Sequence, residues 1–183
     1  MSKIALTPSA SGTGTFTISS PATNTDRTLT LPDEAGTVLT SASSITQNAG
    51  PTFSAYQSTG TLVNNSTTTK ILFQTEEWDT NSNYDSSRFT PNVAGYYIII
   101  AAVCGAFGGN SNSEIFKNGS AYKRGVQPDA GVAFVTYPVS SLVYLNGSSD
   151  YVEIYFANNG GSNITTIDAT KLTYFNGAMV RAA

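Results

Sequence analysis

The carboxylates that could do acid–base chemistry are concentrated in one short segment, Glu76-Glu77-Trp78-Asp79. In an extended strand Glu77 and Asp79 would lie about 6.6 Å apart, at roughly 3.3 Å per residue. The two carboxylates of a glycosidase are separated by about 5–10 Å, so this pair falls within the catalytic range. Any exposed strand with acidic residues at alternate positions gives the same spacing, however. We therefore expect no catalytic residue in this chain.

The sequence contains no histidine and a single cysteine, Cys104. Without histidine, Ser-His-Asp and Cys-His nucleophile systems are excluded in their ordinary forms. One cysteine cannot build a zinc site. Because Cys104 lies in an apolar run, we interpret it as a small buried residue. The sequence thus predicts a protein that is not an enzyme and has no cofactor, with one candidate ion left to consider.

That candidate is calcium, at four oxygen-bearing side chains that follow one another at alternate positions. They are Asp79, Asn81, Asn83 and Asp85. Hard oxygen ligands suit calcium, and the spacing resembles the start of an EF-hand loop. Tyr84 stands where that loop needs glycine, and Thr90 stands where it needs glutamate. Asn and Asp are also common turn residues, so calcium binding and an ordinary turn both stay open, and Tyr84 and Thr90 favour the turn.

Three tyrosines in predicted strands, Tyr137, Tyr144 and Tyr155, carry rings that could stack on sugar rings. Strand aromatics more commonly pack in a core or between subunits. The sequence alone leaves two interpretations of these tyrosines, a glycan-binding surface and structural packing.

Composition and charge exclude several classes of protein. Charged residues make up 11% of the chain and aromatic residues another 11%, which is the reverse of a disordered composition. The net charge of −3 provides no basic surface for nucleic acid. No apolar stretch is long enough to cross a membrane, and the N-terminal residues do not resemble a secretory signal. We therefore expect synthesis in a cytosol.

The chain is expected to consist of an arm at 1–45, a linker at 46–50 and a folded domain at 51–183. Runs of β-branched and aromatic residues in the domain are separated by turn signals such as Asn118-Gly119 and Asn146-Gly147. The predicted strands are Phe53–Gln57, Lys70–Trp78, Arg88–Thr90, Tyr96–Phe107, Ser113–Lys117, Val132–Leu145, Tyr151–Ala157 and Lys171–Arg181. This pattern predicts an all-β fold, a two-sheet jelly roll or another two-sheet sandwich, preceded by an extended N-terminal arm with short strands.

The arm alternates polar and apolar residues but has few large apolar side chains. They are Phe16, Ile18, Leu29, Leu31, Val38 and Leu39. Six such side chains, at about 1.5–3 kcal/mol each, cannot offset the entropy of ordering the arm. We predict that these residues become ordered against a partner and serve as the anchor of the protein.

The folded domain resembles the C1q/TNF-like family of trimeric jelly rolls. The resemblance rests on the string Arg88-Phe89-Thr90-Pro91-Asn92-Val93-Ala94-Gly95-Tyr96-Tyr97, preceded by Phe73, Asp79 and Tyr84. Gly147 with Tyr151-Val152-Glu153-Ile154, and Phe175-Asn176-Gly177-Ala178, are similar to its last two strands. The resemblance implies a homotrimer. It also implies a structural core that includes Phe73, Phe89, Gly95, Tyr97 and Phe175.

The segment from Gly14 to Val38 resembles a module common in bacteriophage fibre and virion-surface proteins. Together the two resemblances imply a structural protein of the virion surface, made in a bacterial cytoplasm. The leading expectation is a trimeric head decoration, cement protein or short head fibre, attached to the major capsid protein or other virion proteins through residues 1–45. The alternative is a tail-fibre adhesin that binds a host surface receptor or glycan through the jelly roll.

Overall fold

The computed structural model describes residues 11–15, 17, 19, 22–26, 28, 50–127, 134–168 and 171–183. The chain divides into two units, 1–43 and 44–183. The described residues of the first unit are exposed and belong to no helix or strand. The six predicted anchoring residues lie outside the described residues: Phe16, Ile18, Leu29, Leu31, Val38 and Leu39.

The described part of the second unit is built from strands and contains no α-helix. In chain order the strands are β1 (Thr52–Tyr56), β2 (Leu62–Val63), β3 (Thr67–Lys70), β4 (Thr75–Asp79), β5 (Tyr84–Asp85), β6 (Arg88–Phe89), β7 (Ala94–Gly105), β8 (Asn112–Lys117), β9 (Ser120–Arg124), β10 (Val135–Asn146), β11 (Val152–Asn158), β12 (Ile164–Thr165) and β13 (Tyr174–Ala182). Within the described residues no helix is long and apolar enough to cross a membrane.

The strands form two main antiparallel sheets. Sheet I has the order β10-β7-β13-β1-β4, and sheet II has the order β5-β6-β11-β8-β9, with β3 also paired to β11. Strands β12 and β2 form a small third sheet. Many of the connections cross between the two main sheets, as in a Greek-key sandwich. The predicted all-β sandwich is confirmed.

Side chains alternate along the long strands because successive residues of a strand point to opposite faces. In β7 the buried Tyr97 and Ile99 alternate with the more exposed Tyr96 and Ile100. The adjacent β10 buries Val143 and Leu145 between outward residues in the same way. One face of sheet I therefore closes the core, and the other carries large apolar side chains outward.

The predicted strand over Lys70–Trp78 is wrong, because this segment forms two strands in different sheets. Strand β3 ends at Lys70 in sheet II, and β4 begins at Thr75 in sheet I. Between them Ile71 N donates to Ile154 O over 2.9 Å, and Phe73 N donates to Ser87 Oγ over 2.8 Å. Both side chains are buried. Residues 71–74 thus pass from one sheet to the other with Ile71 and Phe73 in the core and Leu72 and Gln74 exposed.

The five residues expected to form the structural core are all buried: Phe73, Phe89, Gly95, Tyr97 and Phe175. A Cβ on Gly95 would lie 2.5 Å from Arg181 O, so the close approach of β13 requires glycine there. Burial raises the pKa of Tyr97 to about 12, and its hydroxyl donates to Val93 O over 2.7 Å. These positions therefore hold the two sheets and the β6–β7 connection together.

Candidate functional site

In the acidic segment of β4, the carboxylates of Glu77 and Asp79 accept hydrogen bonds from neighbouring residues. Glu77 accepts from Lys171 Nζ, and also from Ser54 Oγ over 2.8 Å. These two hydrogen bonds lower the pKa of Glu77. Asp79 accepts from Tyr84 N over 2.6 Å and from Asn81 N over 3.2 Å. The two carboxylates therefore have different partners and roles, one binding a lysine and the other shaping a loop.

The four candidate calcium ligands lie in and beside this loop, but three of them interact with neighbouring side chains. Asn81 Oδ1 accepts from Thr80 Oγ1 over 2.9 Å. Asn83 Nδ2 donates to Asn92 Oδ1 over 3.3 Å, and Asp85 Oδ2 accepts from Ser86 Oγ over 3.0 Å. Across the described parts of the chain, no three Asp, Glu, His or Cys side chains are grouped so that they could hold a metal ion. The two backbone N–H bonds of Asp79 match the turn interpretation, and calcium binding stays a prediction.

The interpretation of Tyr137 as a glycan contact is wrong. Tyr137 is fully buried, and its hydroxyl donates to Phe107 O over 2.6 Å. Burial raises the pKa of Tyr137. Tyr144 is exposed on sheet I, where its ring centroid lies 5.5 Å from that of Tyr96, whereas Tyr155 belongs to sheet II. The three rings consequently do not form one surface for a sugar.

The outer side of sheet I carries a set of large apolar side chains, all of them exposed except the half-buried Ile98. This apolar face consists of Trp78, Tyr96, Ile98, Ile100, Leu142, Tyr144 and Val180. Trp78, Ile98 and Ile100 border a shallow cavity of about 230 Å³ whose floor includes Gly177 and Ala178. Tyr96, Leu142 and Val180 surround a second depression. Exposed apolar patches of this kind mark contact surfaces more commonly than they mark enzyme sites.

Sheet II carries a polar cluster centred on the carboxylate of Glu153, which is only 2% exposed. Glu153 Oε1 accepts from Lys70 Nζ over 2.8 Å and from Arg88 Nε over 2.9 Å. Burial raises the pKa of Glu153, but the bonds from Lys70 and Arg88 outweigh it and hold the pKa below its usual value. The guanidinium of Arg88 also lies 4.0 Å from the centre of the Tyr151 ring. The cluster thus fixes two cations on the surface of the sheet.

A cavity of about 490 Å³ opens beside this cluster, and its wall is formed mainly by polar side chains. The lining residues are Lys70, Ser82, Asn83, Asp85, Ser86, Arg88 and Thr90. The two connections beside the cavity have an unusual backbone. Ser82, between β4 and β5, has a φ of 53°, and Ser86 and Ser87, between β5 and β6, have φ values of 51° and 59°. Such left-handed conformations cost an L-residue about 1–2 kcal/mol each. We call the cavity lined by these seven residues the sheet II cavity.

Solved structures with the same arrangement of strands come from animals and from a virus. The globular domain of zebrafish complement 1qA protein matches with a TM-score of 0.55 and 14% identity, over 73% of this chain and 99% of that one. Murine APRIL matches with a TM-score of 0.57 and 9% identity, over 72% of this chain and 99% of APRIL. The fold is a C1q/TNF-like jelly roll. The PRD1 vertex protein P5 has this jelly roll as well. It matches with a TM-score of 0.53 and 14% identity, over 72% of this chain and 98% of P5.

No protein-family model matches the sequence. No curated protein matches it either. At identities of 14% and below, the likeness to solved structures establishes the jelly roll and nothing finer about its function.

Sequence reasoning did not identify the sheet II cavity. Lys70 and Arg88 are 18 positions apart, and their common partner Glu153 lies far along the chain. One local signal was present, because Glu153 and Tyr155 alternate with the apolar Val152 and Ile154 in β11, directly after Tyr151. That alternation places Glu153 on the outer face of its strand, but it does not reveal which residues meet it there.

Proposed function

We propose that this chain is a homotrimeric structural protein of a bacteriophage virion surface, acting as a head decoration or short head fibre. In this proposal residues 1–45 attach the protein to the major capsid protein or another virion protein. The observation that carries the proposal is the apolar face of sheet I. A face of this composition needs a partner, and the C1q/TNF-like resemblance of the sequence suggests two further copies of the same chain.

The chemistry of the apolar face suits an interface between identical subunits. Aromatic and aliphatic side chains stabilise a contact by about 25 cal/mol for each Å² removed from water. Aromatic residues are also enriched at the centres of protein interfaces. Beside the face, Ser54 Oγ lies 2.8 Å from Glu77 Oε2 and 2.9 Å from Asn176 Oδ1. Polar groups that already have partners can be covered by a subunit without a large desolvation cost.

The virion location is supported by two independent likenesses. The segment from Gly14 to Val38 resembles modules of phage fibre and virion-surface proteins. The jelly roll is similar to the vertex protein P5 of PRD1. The proposal includes no catalytic activity, which agrees with the structural partners found for Glu77 and Asp79.

The experiment compares attachment of the intact and altered proteins to particles that lack this component. We expect the full-length protein to pellet with the particles. A chain lacking residues 1–45, and a full-length chain with Leu29→Asp and Leu31→Asp, should stay in the supernatant. A matched full-length control, Leu62→Asp, changes an exposed leucine of the jelly roll and should pellet normally. Equal pelleting of all four proteins would show that the jelly roll makes the attachment, and the anchoring role of the arm would be rejected.

A second candidate function is a tail-fibre adhesin that binds a host surface receptor or glycan. The observation that favours it is the sheet II cavity, which has the volume of a small-ligand site and a lining of polar residues that suits a hydroxyl-rich ligand. Electron microscopy of labelled protein on the particle distinguishes the two functions, since a decoration protein lies on the head and an adhesin on the tail.

A further inference from the structure

We propose that the sheet II cavity binds a neutral saccharide. This inference goes beyond the proposed decoration role, which needs no ligand in this place, and it names the ligand class of the second candidate function. The cavity of about 490 Å³ lies within the range of about 300–1,000 Å³ that is usual for small-ligand sites. Its polar lining differs from the mostly apolar lining of a typical cofactor or drug site, and suits a ligand rich in hydroxyl groups.

The lining offers hydrogen-bond donors and acceptors close together. Among the described residues, Arg88 uses only its Nε, in the bond to Glu153, and its Nη groups have no protein acceptor. Asp85 accepts one bond from Ser86 Oγ and has further acceptor capacity on its carboxylate. The hydroxyls of Ser82 and Thr90 can both donate and accept. Sugar hydroxyls also donate and accept at once, so neighbouring hydroxyls can bridge a guanidinium and a carboxylate.

The charge balance favours a neutral ligand over an anionic one. The two cations at the cavity, Lys70 and Arg88, are matched by two carboxylates, Glu153 and Asp85. Glu153 already holds both cations at 2.8 and 2.9 Å. An anionic ligand would have to share these cations with a buried carboxylate and approach Asp85 as well. A neutral polyhydroxyl ligand carries no such repulsion.

The site is organised before any ligand arrives. The buried Glu153 fixes Lys70 and Arg88, and Lys70 Nζ also donates to Ser86 O over 2.9 Å. The ring of Tyr151 supports the guanidinium of Arg88 from one side. Fixed side chains lose little entropy on binding, which raises affinity for a small ligand. The left-handed serines of the loop are maintained against their conformational cost in the same place.

The position of the cavity leaves it accessible in the proposed assembly. Every lining residue belongs to sheet II or its flanking loops, and none belongs to the apolar face of sheet I. A trimer formed through that face would therefore present three cavities, and binding to a repetitive glycan would be strengthened by avidity. The avidity depends on the proposed trimer, whereas the site itself is built within a single protomer.

The test is saturation-transfer difference NMR on the full-length protein. The probes are the methyl glycosides of glucose, galactose, mannose, rhamnose and N-acetylglucosamine, with glucuronic acid as the anionic comparison. We expect transfer to at least one neutral glycoside. Arg88→Lys keeps a cation beside Glu153 but removes the guanidinium donors, and Asp85→Asn removes a charged acceptor. Each should weaken binding roughly tenfold, the loss expected for one hydrogen bond to a charged group.

Two controls make the result specific to the cavity. Asp168→Asn is the same change at an exposed aspartate outside the cavity and should leave the signal unchanged. Leu142→Asp alters the apolar face, and binding should persist in it whatever its oligomeric state. The proposal is overturned if no neutral glycoside gives a signal, if only glucuronic acid does, or if the signal survives both Arg88→Lys and Asp85→Asn. A parent protein that binds the glycoside as a monomer would instead count only against the proposed trimer.

Discussion

The rings of Phe53 and Phe89 stack across the sandwich, with centroids 4.4 Å apart and ring planes 24° apart. Phe53 belongs to β1 of sheet I and Phe89 to β6 of sheet II, and both are almost completely buried. Phe53 also meets Phe175 edge to face at 4.7 Å, and Phe89 meets Tyr97 at 5.6 Å. This aromatic group therefore connects the two sheets at the point where the short strand β6 would otherwise be weakly held.

Replacing Phe89 by alanine should destabilise the jelly roll strongly. Removal of a buried phenylalanine costs about 3–5 kcal/mol, a large fraction of the about 5–15 kcal/mol that stabilises a typical domain. Chemical denaturation measures the loss. Tyr122→Ala in β9 is the control, because Tyr122 is exposed and its loss should change stability by less than about 1 kcal/mol. Equal stability of the two variants would show that Phe89 does not connect the sheets.

A charge placed in the apolar face should dissociate the proposed trimer. Leu142 and Leu62 are similarly exposed, at 52% and 56%, but only Leu142 lies on sheet I. Leu142→Asp would bury an unpaired carboxylate in the interface, at a cost of several kcal/mol. Sedimentation should give three times the 19.2 kDa chain mass for the parent and for Leu62→Asp, and a smaller species for Leu142→Asp. A trimer that persists in Leu142→Asp would place the interface elsewhere.

Stability should fall in acid because of Glu153. Its pKa in the folded chain is lowered below the unfolded value, so its contribution is present above about pH 4.3 and is lost as the pH falls through the folded pKa. Glu153→Gln should reduce stability at pH 7, since Lys70 and Arg88 lose their carboxylate, and this deficit should shrink toward pH 3. Unfolding curves across this range provide the measurement.

For that comparison Glu76→Gln is the control, because Glu76 is an exposed carboxylate of β4. Its stability at pH 7 should lie within about 0.5 kcal/mol of that of the parent. If the deficit of Glu153→Gln stayed constant from pH 7 to pH 3, the ion pairs would not be the source of its effect.

The turn between β10 and β11 should tolerate no side chain at Gly147. Gly147 has φ of 72°, and a Cβ there would lie 2.2 Å from Ala94 N. Gly161 has a comparable φ of 88° but open space around it. Gly161→Ala should therefore cost only the left-handed penalty, about 1–2 kcal/mol, and Gly147→Ala should cost clearly more. Thermal denaturation of both variants separates the steric clash with Ala94 from the cost of the left-handed backbone. Equal losses of stability in the two variants would contradict the close approach of Gly147 to Ala94.

The fold was predictable from the sequence because its strongest signals are local. The alternation in β7 and β10 and the turns at Asn118-Gly119 and Asn146-Gly147 are read directly from neighbouring residues. The crossing at residues 71–74 was not predictable in this way. Ile71 and Phe73 continue the pattern of a strand, and only their hydrogen bonds to Ile154 and Ser87 show that they leave it.

The site was predicted poorly because it depends on contacts between distant segments. Tyr137 and Tyr144 are both aromatic residues of β10, yet their odd spacing of seven positions puts them on opposite faces. Tyr137 is six positions from the buried Val143 and Tyr144 is one position from it, so alternation along the strand assigns Tyr137 to the buried face and Tyr144 to the exposed face. The salt bridges of Lys70 and Arg88 to Glu153 have no local sequence pattern, because they arise from the order of strands in sheet II.

The position of β1 has a mechanical consequence for a protein held by its N-terminal side. Strand β1 lies between β13 and β4, paired with both in antiparallel ladders. Interstrand hydrogen bonds run across the strands, so a pull along the axis of β1 from the chain before Thr52 loads both ladders in shear. Bonds in shear share the force and must break together, whereas a strand peeled from an edge releases them one after another. If the arm anchors the protein as proposed, the load therefore enters the jelly roll through a strand suited to bearing it.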